Sequence, residues 1–335
     1  MKTIFITGGS TGIGAATVRK FYQEGWNVGF MDLNETAAQQ LLASLAAADS
    51  EARTGATADS AAADSSAATD SSAAATSAAA DSTATATSAT ADSSAAATNT
   101  AATSAAADSR AATDSTAARS GSEAEGSTSL ARILFTKGNT RQREDIHRAV
   151  EATVEQFGGL DAVVANAGIH RSNTLLDITD EELDLMIQTN IYGTVNTLRE
   201  AVPHLVERGG GSVVINASDQ WFIGKAHSFA YGLTKGALGQ ITRSLAIDLG
   251  SKNIRVNAVC PSTIHTPLVD QIFERCSKRD GRPVQEYWDE ENALFIPKRV
   301  GKPEEVAAMI YFLCSEDAGF CTGGHYLVDG GLCCQ

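Results

Sequence analysis

Between Ala46 and Ser129 the chain runs for 84 residues without a Val, Ile, Leu, Met, Phe, Trp, Tyr or Pro. Alanine is the only apolar side chain there in quantity, and it buries too little surface to hold a core together. A core must therefore be drawn from the other 251 of the 335 residues. That length suits one α/β domain, assembled from residues 1–45 and 130–335 across the gap. The gap repeats with a period of eleven. Asp-Ser recurs at Asp59, Asp70, Asp81, Asp92 and Asp114, with Thr103-Ser104 at the missing step. An eleven-residue period is compatible with long helices, and alanine favours helix, but Ser, Thr and Asp do not. The segment is expected to be an inserted repeat expansion, disordered or loosely helical. It falls between a helix and the following strand, which in a parallel sheet places it at the N-terminal strand ends, away from bound ligands. Long insertions there cost little closure entropy.

The first piece opens with an apolar run, Ile4-Phe5-Ile6, then Thr7-Gly8-Gly9-Ser10-Thr11-Gly12-Ile13-Gly14, then Ala15, Ala16 and Val18. This order reads as a strand, a glycine turn and a helix start. Glycines let the backbone approach a phosphate, and the helix start offers N–H donors and positive dipole. The spacing Gly8-x-x-x-Gly12-x-Gly14 differs from the commoner dinucleotide fingerprint. A second strand, Asn27–Asp32, ends on a carboxylate that can accept hydrogen bonds from both adenosine ribose hydroxyls. Asp32 would repel a 2′-phosphate, and the neighbouring sequence supplies no Arg or Lys to bind one, so NAD is favoured over NADP. The alternative for Asp32 is a helix N-cap.

In the second piece, Val213-Val214-Ile215 reads as a buried strand with Ser218 just past its end. Leu238, Ile241, Leu245 and Leu249 recur at helical spacing, so Tyr231 and Lys235, four apart, share a helix face. A cation beside a phenol favours the phenolate and moves tyrosine from about 10 towards neutrality, where it can exchange a proton with an alcohol oxygen.

Together, Thr-Gly-x-x-x-Gly-Ile-Gly, Asn166-Ala167-Gly168 and Ser218 with Tyr231-x-x-x-Lys235 resemble the short-chain dehydrogenase/reductase family, over residues 1–45 and 130–335. The resemblance implies a Rossmann-like, doubly wound parallel sheet. It implies hydride transfer between a nicotinamide cofactor and a secondary alcohol or ketone. It gives Tyr231 the acid–base role, Ser218 the substrate oxygen, and Lys235 the tyrosine and the nicotinamide ribose. Asn190 is implied to fix a helix kink and a proton-relaying water. Gly8, Ser10, Thr11, Gly12, Ile13 and Gly14 would hold the cofactor, with Asn166, Ala167 and Gly168 packed beside it. Pro261, Ile264 and Thr266 would meet the nicotinamide end. Where the family has an acidic residue after the third strand (Ile133-Leu134-Phe135), this chain has Lys137-Gly138-Asn139, and Asn139 is the substitute adenine contact. Ser262 departs from the family's Pro-Gly. The stretch 267–297 is expected to be an irregular substrate lid. Trp221, Phe222, His170 and Arg171 are expected to border the pocket, which leaves an apolar cyclic ketone and a polyol equally open. The family is commonly tetrameric, which implies a homo-tetramer or dimer here.

The net charge of −14 is shared unevenly. The 84-residue segment holds eight Asp and three Glu against three Arg, so the remainder carries an ordinary −6. No basic tract favours nucleic acid. No run approaches the ~20 apolar residues of a membrane helix, and the start shows no signal-peptide pattern; a cytoplasmic protein is expected. The six cysteines lack zinc-ligand spacing, so no metal is expected, and they read as reduced thiols, Cys333-Cys334 as an inert tail. Two other functions fit the pattern: a non-catalytic nucleotide sensor of the same fold, and an interaction protein acting through the repeat.

Overall fold

The computed structural model describes residues 1–63 and 127–335. By packing, the chain divides into two units: Met1–Gly55 with Ala124–Gln335, and Ala56–Glu123. Of the second, only residues 56–63 are described, and they are the end of a helix.

The first unit is built on one sheet. Its strands are β1 (Thr3–Thr7), β2 (Asn27–Asp32), β3 (Ser127–Leu130), β4 (Ile133–Lys137), β5 (Ala162–Ala165), β6 (Gly211–Asn216), β7 (Ile254–Pro261) and β8 (His325–Val328). The order is β3-β4-β2-β1-β5-β6-β7-β8. All pairings are parallel except that of β3 with β4. The helices are α1 (Gly12–Gln23), α2 (Glu35–Ala63), α3 (Arg143–Phe157), α4 (Asp180–Met186), α5 (Gly193–Glu207), α6 (Phe229–Gly250), α7 (Pro267–Asp280), α8 (Val284–Leu294) and α9 (Pro303–Cys314). This is the doubly wound α/β architecture that the alternation of strand and helix patterns predicts.

Side chains alternate across each strand, and the two faces build two cores. Ile4, Ile6, Val28 and Phe30 pack with Val18 and Phe21 of α1, Leu41, Leu42 and Leu45 of α2, and Val306, Ile310 and Leu313 of α9. Phe5, Val163 and Val213 pack on the other face with Ile146 and Val150 of α3, Leu198 and Leu205 of α5, and Leu238 of α6. Strand order turns back at β1, between β2 and β5, and the carboxyl ends of these strands frame the cleft.

Three local outcomes differ from the sequence reading. The domain's elements reach into the 46–129 segment. Helix α2 continues to Ala63, with the Tyr22 hydroxyl donating to Asp49, and Ser127–Ser129 belong to β3. Because β3 is antiparallel, with Ser127 opposite Thr136, the chain re-enters the sheet from the carboxyl end of β4, not from the amino end that a plain helix-to-strand connection implies. Finally, the stretch expected to be irregular is two helices, α7 and α8. They hold together by aromatic contact, Phe273 lying 4.7 Å from Trp288 and 5.8 Å from Tyr287.

Candidate active site

Six strand ends, those of β1, β2, β4, β5, β6 and β7, deliver the cleft. At the end of β1, the glycine loop is set by backbone that tolerates no side chain. Gly8 and Gly12 have φ of +67° and +52°, and a Cβ on Gly14 would sit 1.8 Å from the Gly8 carbonyl oxygen. At the end of β5, Asn166 binds the loop: its Nδ2 donates to the carbonyls of Thr7 and Gly8 at 3.0 and 2.9 Å. Its Oδ1 accepts from Asn216 Nδ2, at the end of β6, at 2.8 Å. The Asn-Ala-Gly turn is therefore a clamp on the glycine loop, and the Thr7 hydroxyl also receives the Ala167 N–H at 3.3 Å. Asp32 closes the loop from β2. It accepts from the Ser10 N–H and the Asn34 N–H, each at 2.9 Å. Asn34, not Asp32, caps α2, accepting from Ala37 N–H at 3.0 Å.

These groups wall a cavity of about 440 Å³, lined among others by Gly12, Asp32, Asn139, Asn166 and Thr266. Among the described residues, three buried side-chain polar atoms lack a partner, and two of them are Ser10 Oγ and Asn216 Oδ1, in the glycine loop and at the cleft wall. Buried polar groups are normally paired. A glycine cradle at a helix start, two unpaired polar atoms and a carboxylate at the end of β2 fit a dinucleotide.

Cations do lie near Asp32, contrary to the sequence reading. Lys137 stands opposite it in the β2–β4 register, paired with Glu35 at 2.9 Å, and Arg141 lines the same cavity. Both are remote in sequence, so only strand pairing brings them there. Asn139 is at the cavity wall with its side-chain oxygen turned to the Arg141 N–H at 3.1 Å.

Tyr231 packs beside Lys235 and shares a cavity wall with Ser218. Tyr231, Lys235, Pro261, Ile264, Gly168 and Ile13 are among the walls of an adjoining space of about 120 Å³. Tyr231 and Ser218 also line a third cavity, of about 250 Å³, on the far side. Lys235 is buried, donates to the Asn216 carbonyl at 2.7 Å, and has its Nζ 5.5 Å from the Tyr231 ring centre. Burial brings its pKa down to about 8, against a small upward pull from Cys260. The expected lowering of the phenol by Lys235 is not seen. Burial raises the Tyr231 pKa, the Asp219 carboxylate adds to the rise, and a hydrogen bond with Ser218 offsets it only in part. Desolvation of the neutral-to-anion change outweighs a cation already engaged by a carbonyl.

Asn190 lies in a π-helical turn, Ile187–Tyr192, between α4 and α5. Such turns gather at functional sites. Its Oδ1 accepts from Ile169 N–H at 2.8 Å, while its Nδ2 donates to the Ile169 carbonyl and Thr234 Oγ1, each at 3.0 Å. It ties the segment after Gly168 to the helix that carries Tyr231.

The sequence reading missed Asp219, which is 1% exposed. The Ser218 hydroxyl donates to its Oδ1 at 2.8 Å, and its Oδ2 receives the Ser262 hydroxyl at 2.7 Å and pairs with Lys225 at 3.2 Å. Ser262, the departure from the family pattern, thus has a bonding role. Trp221 and Phe222 do not border the 250 Å³ cavity. Trp221 stacks on His325 at 5.3 Å, with Arg243 over its ring. His170 does border it, edge-on to Tyr231 with ring centres 4.7 Å apart, whereas Arg171 lines the cofactor cavity.

Comparison with known proteins fits this geometry. The profile described as short chain dehydrogenase matches residues 2–83, and one described as enoyl-(acyl carrier protein) reductase matches residues 89–333. The chain belongs to the short-chain dehydrogenase/reductase family. This oxidoreductase is 35% identical to the 3-oxoacyl-(acyl-carrier-protein) reductase FabG of Thermotoga maritima over 196 residues, 58% of this chain and 74% of the relative. It is 34% identical to the glucose 1-dehydrogenase of Gluconobacter oxydans over 196 residues, 58% of this chain and 70% of the relative. In fold it is similar to the aldohexose dehydrogenase of Thermoplasma acidophilum (TM-score 0.67, 21% identity, 100% of this chain and 94% of that one). It is likewise similar to levodione reductase (TM-score 0.70, 22% identity, 99% and 98%). Membership makes the dinucleotide a nicotinamide cofactor. Among the described residues no helix of this dehydrogenase/reductase is long and apolar enough to cross a membrane.

Proposed function

We propose that this chain is an NAD-dependent enzyme that interconverts secondary alcohols and ketones, with Tyr231, Ser218, Lys235 and Asn190 as its working groups. The observation that carries the reading is the position of Tyr231, which lines both the narrow space against the cofactor cavity and the separate cavity beyond it. A group so placed touches whatever bridges the two.

A bound oxidised nicotinamide would supply the hydride acceptor and a positive charge. In the oxidative direction Tyr231 takes the hydroxyl proton of the substrate, and in the reductive direction it returns one. Ser218, whose proton is given to Asp219, accepts from the substrate hydroxyl, and it turns its proton from Asp219 to the carbonyl oxygen as that oxygen forms. Lys235, seated on the Asn216 carbonyl, would hold the cofactor ribose. Asn190 holds the Ile169 backbone and Thr234 in place, and so fixes the wall opposite. Asp32 selects NAD by receiving the ribose hydroxyls. Lys137 is paired with Glu35, which limits its pull on a 2′-phosphate.

The remaining parts of the proposal are one catalytic domain interrupted by the repeat segment, assembled as a tetramer or dimer in the cytoplasm; light scattering reads the assembly. The deciding experiment is Tyr231→Phe, assayed by NADH absorbance over a panel of secondary alcohols. Turnover falls more than tenfold, over ~1.4 kcal/mol in barrier, while NADH binding persists. Retention of a tenth of wild-type kcat, or a wild-type preference for NADP, overturns the reading.

A further inference from the structure

The third unpartnered buried polar atom is His170 Nδ1. Of the other two, Asn216 stands at the cofactor cavity and Ser10 in the glycine loop, whereas His170 lines the cavity beyond Tyr231. Its ring stands edge-on to the Tyr231 ring at 4.7 Å and 62°. Burial, and then the nearby cations Arg275, Lys225, Arg171 and Lys235, bring its pKa down to about 4, so the imidazole is neutral at pH 7. A buried polar nitrogen with no partner is costly in the folded protein, and the ring that carries it lines a cavity, which points to a ligand atom.

The principal polar groups around it are already engaged. The Ser218 hydroxyl donates to Asp219. The other Asp219 oxygen is held by Ser262 and Lys225. Glu291 accepts from Thr263, and the Gln220 side-chain oxygen accepts from Ser228. Of the four cations only Lys225 lines this cavity, and it is paired with Asp219, so an anionic ligand group would meet the Asp219 and Glu291 carboxylates, and a cationic one would meet Lys225. The ligand group is therefore neutral. A neutral imidazole nitrogen is a donor in one tautomer and an acceptor in the other. A hydroxyl satisfies both.

We propose that His170 is a specificity residue that binds a hydroxyl on the carbon adjoining the reacting one, so that the substrates are vicinal diols and the corresponding α-hydroxyketones. This rests on the reading of Tyr231 as the proton-transfer group, since the substituent next to the reacting carbon is the one that reaches a ring packed against Tyr231. In the oxidation the reacting carbinol gives a hydride to the cofactor and its hydroxyl proton to Tyr231. The C=O forms there, and the neighbouring hydroxyl is unchanged.

The test uses the protein with NADH bound, where alcohols form dead-end complexes without turnover. Cis- and trans-1,2-cyclohexanediol and cyclohexanol are titrated against NADH fluorescence, and kcat/KM is then measured with NAD. We expect the better diol to bind at least about tenfold tighter than cyclohexanol and to be favoured similarly in kcat/KM, because a site built for a hydroxyl discriminates against its absence. His170→Phe should bring both ratios towards one, and His170→Asn should restore part of them. Equal binding of diol and cyclohexanol by the wild type overturns the inference. So does a diol preference that survives His170→Phe, since His170 Nδ1 is then served by water alone. A His170-dependent diol preference in binding with no turnover of any alcohol supports the inference and overturns the catalytic reading instead. If His170→Phe does not fold, the wild-type ratio and His170→Asn still decide.

Discussion

The two sides of the cleft are held by different means. On the cofactor side, strand ends and backbone do the positioning. Asn166 clamps the glycine loop, Asp32 holds the Ser10 N–H, and Gly14 touches the Gly8 carbonyl. On the substrate side, α7 and α8 lie over the cavity without one fully buried side chain between them, joined by Phe273, Tyr287 and Trp288. The first arrangement leaves no room for a different side chain. The second can change its residues without disturbing the sheet. Geometry common to every turnover is kept in the rigid half, and selection of the substrate is left to the half where packing is loose.

The largest effect should come from breaking the rigid half. Gly14→Ala places a methyl group against the Gly8 carbonyl, which must destabilise the fold by on the order of 3 kcal/mol and abolish cofactor binding. A denaturant melt and an NADH titration read both; wild-type values in the two would remove the claim that this side is backbone-limited. Next comes pH. His170 is held at about 4 in the folded protein against an ordinary value of 6.5. Its folded pKa is depressed, so its contribution to stability is whole above pH 6.5 and is lost as pH falls towards 4. The slope reaches at most about 1.4 kcal/mol per pH unit. Wild type should therefore lose stability relative to His170→Phe across that window, and parallel curves would mean that His170 is not buried as described.

Smaller effects belong to the loose half. Phe273→Ala should change stability by under about 1 kcal/mol yet shift KM for the alcohol severalfold. A large drop in Tm without a KM change would reverse the comparison. The smallest effect on catalysis should follow replacement of residues 64–126 by a short Gly/Ser linker. We expect kcat and KM close to wild type, with Tm level or slightly raised, because closure entropy changes by only ~0.6 kcal/mol per doubling of length. Loss of activity with NADH binding intact would show that the segment reaches the substrate side.

The sequence by itself determined what is local. A glycine loop after an apolar strand, an i, i+4 Tyr–Lys pair and helical periodicity are properties of short windows, and α3 runs from Arg143 to Phe157 as its spacing of Ile146, Val150 and Val154 predicts. The described core residues all lie outside the segment that has no large apolar side chain, although α2 and β3 run into it. Tertiary structure decided what depends on pairing across distance. Strand β3 is Ser-Thr-Ser-Leu, polar and invisible to periodicity, and exists through backbone bonding to β4. Helix α7, by contrast, does carry an apolar stripe, Leu268, Val269, Ile272, Phe273 and Cys276 at spacings of three and four, and was legible in a stretch expected to be irregular. Lys137 comes beside Asp32 only through strand register, and Ser262 reaches Asp219 across 43 positions. Trp221 turned to His325, and burial raised the tyrosine that a neighbouring lysine was expected to lower. Periodicity reports which face of an element is apolar, but desolvation and hydrogen-bond partners are set by what the fold brings against it, and no window of sequence contains that.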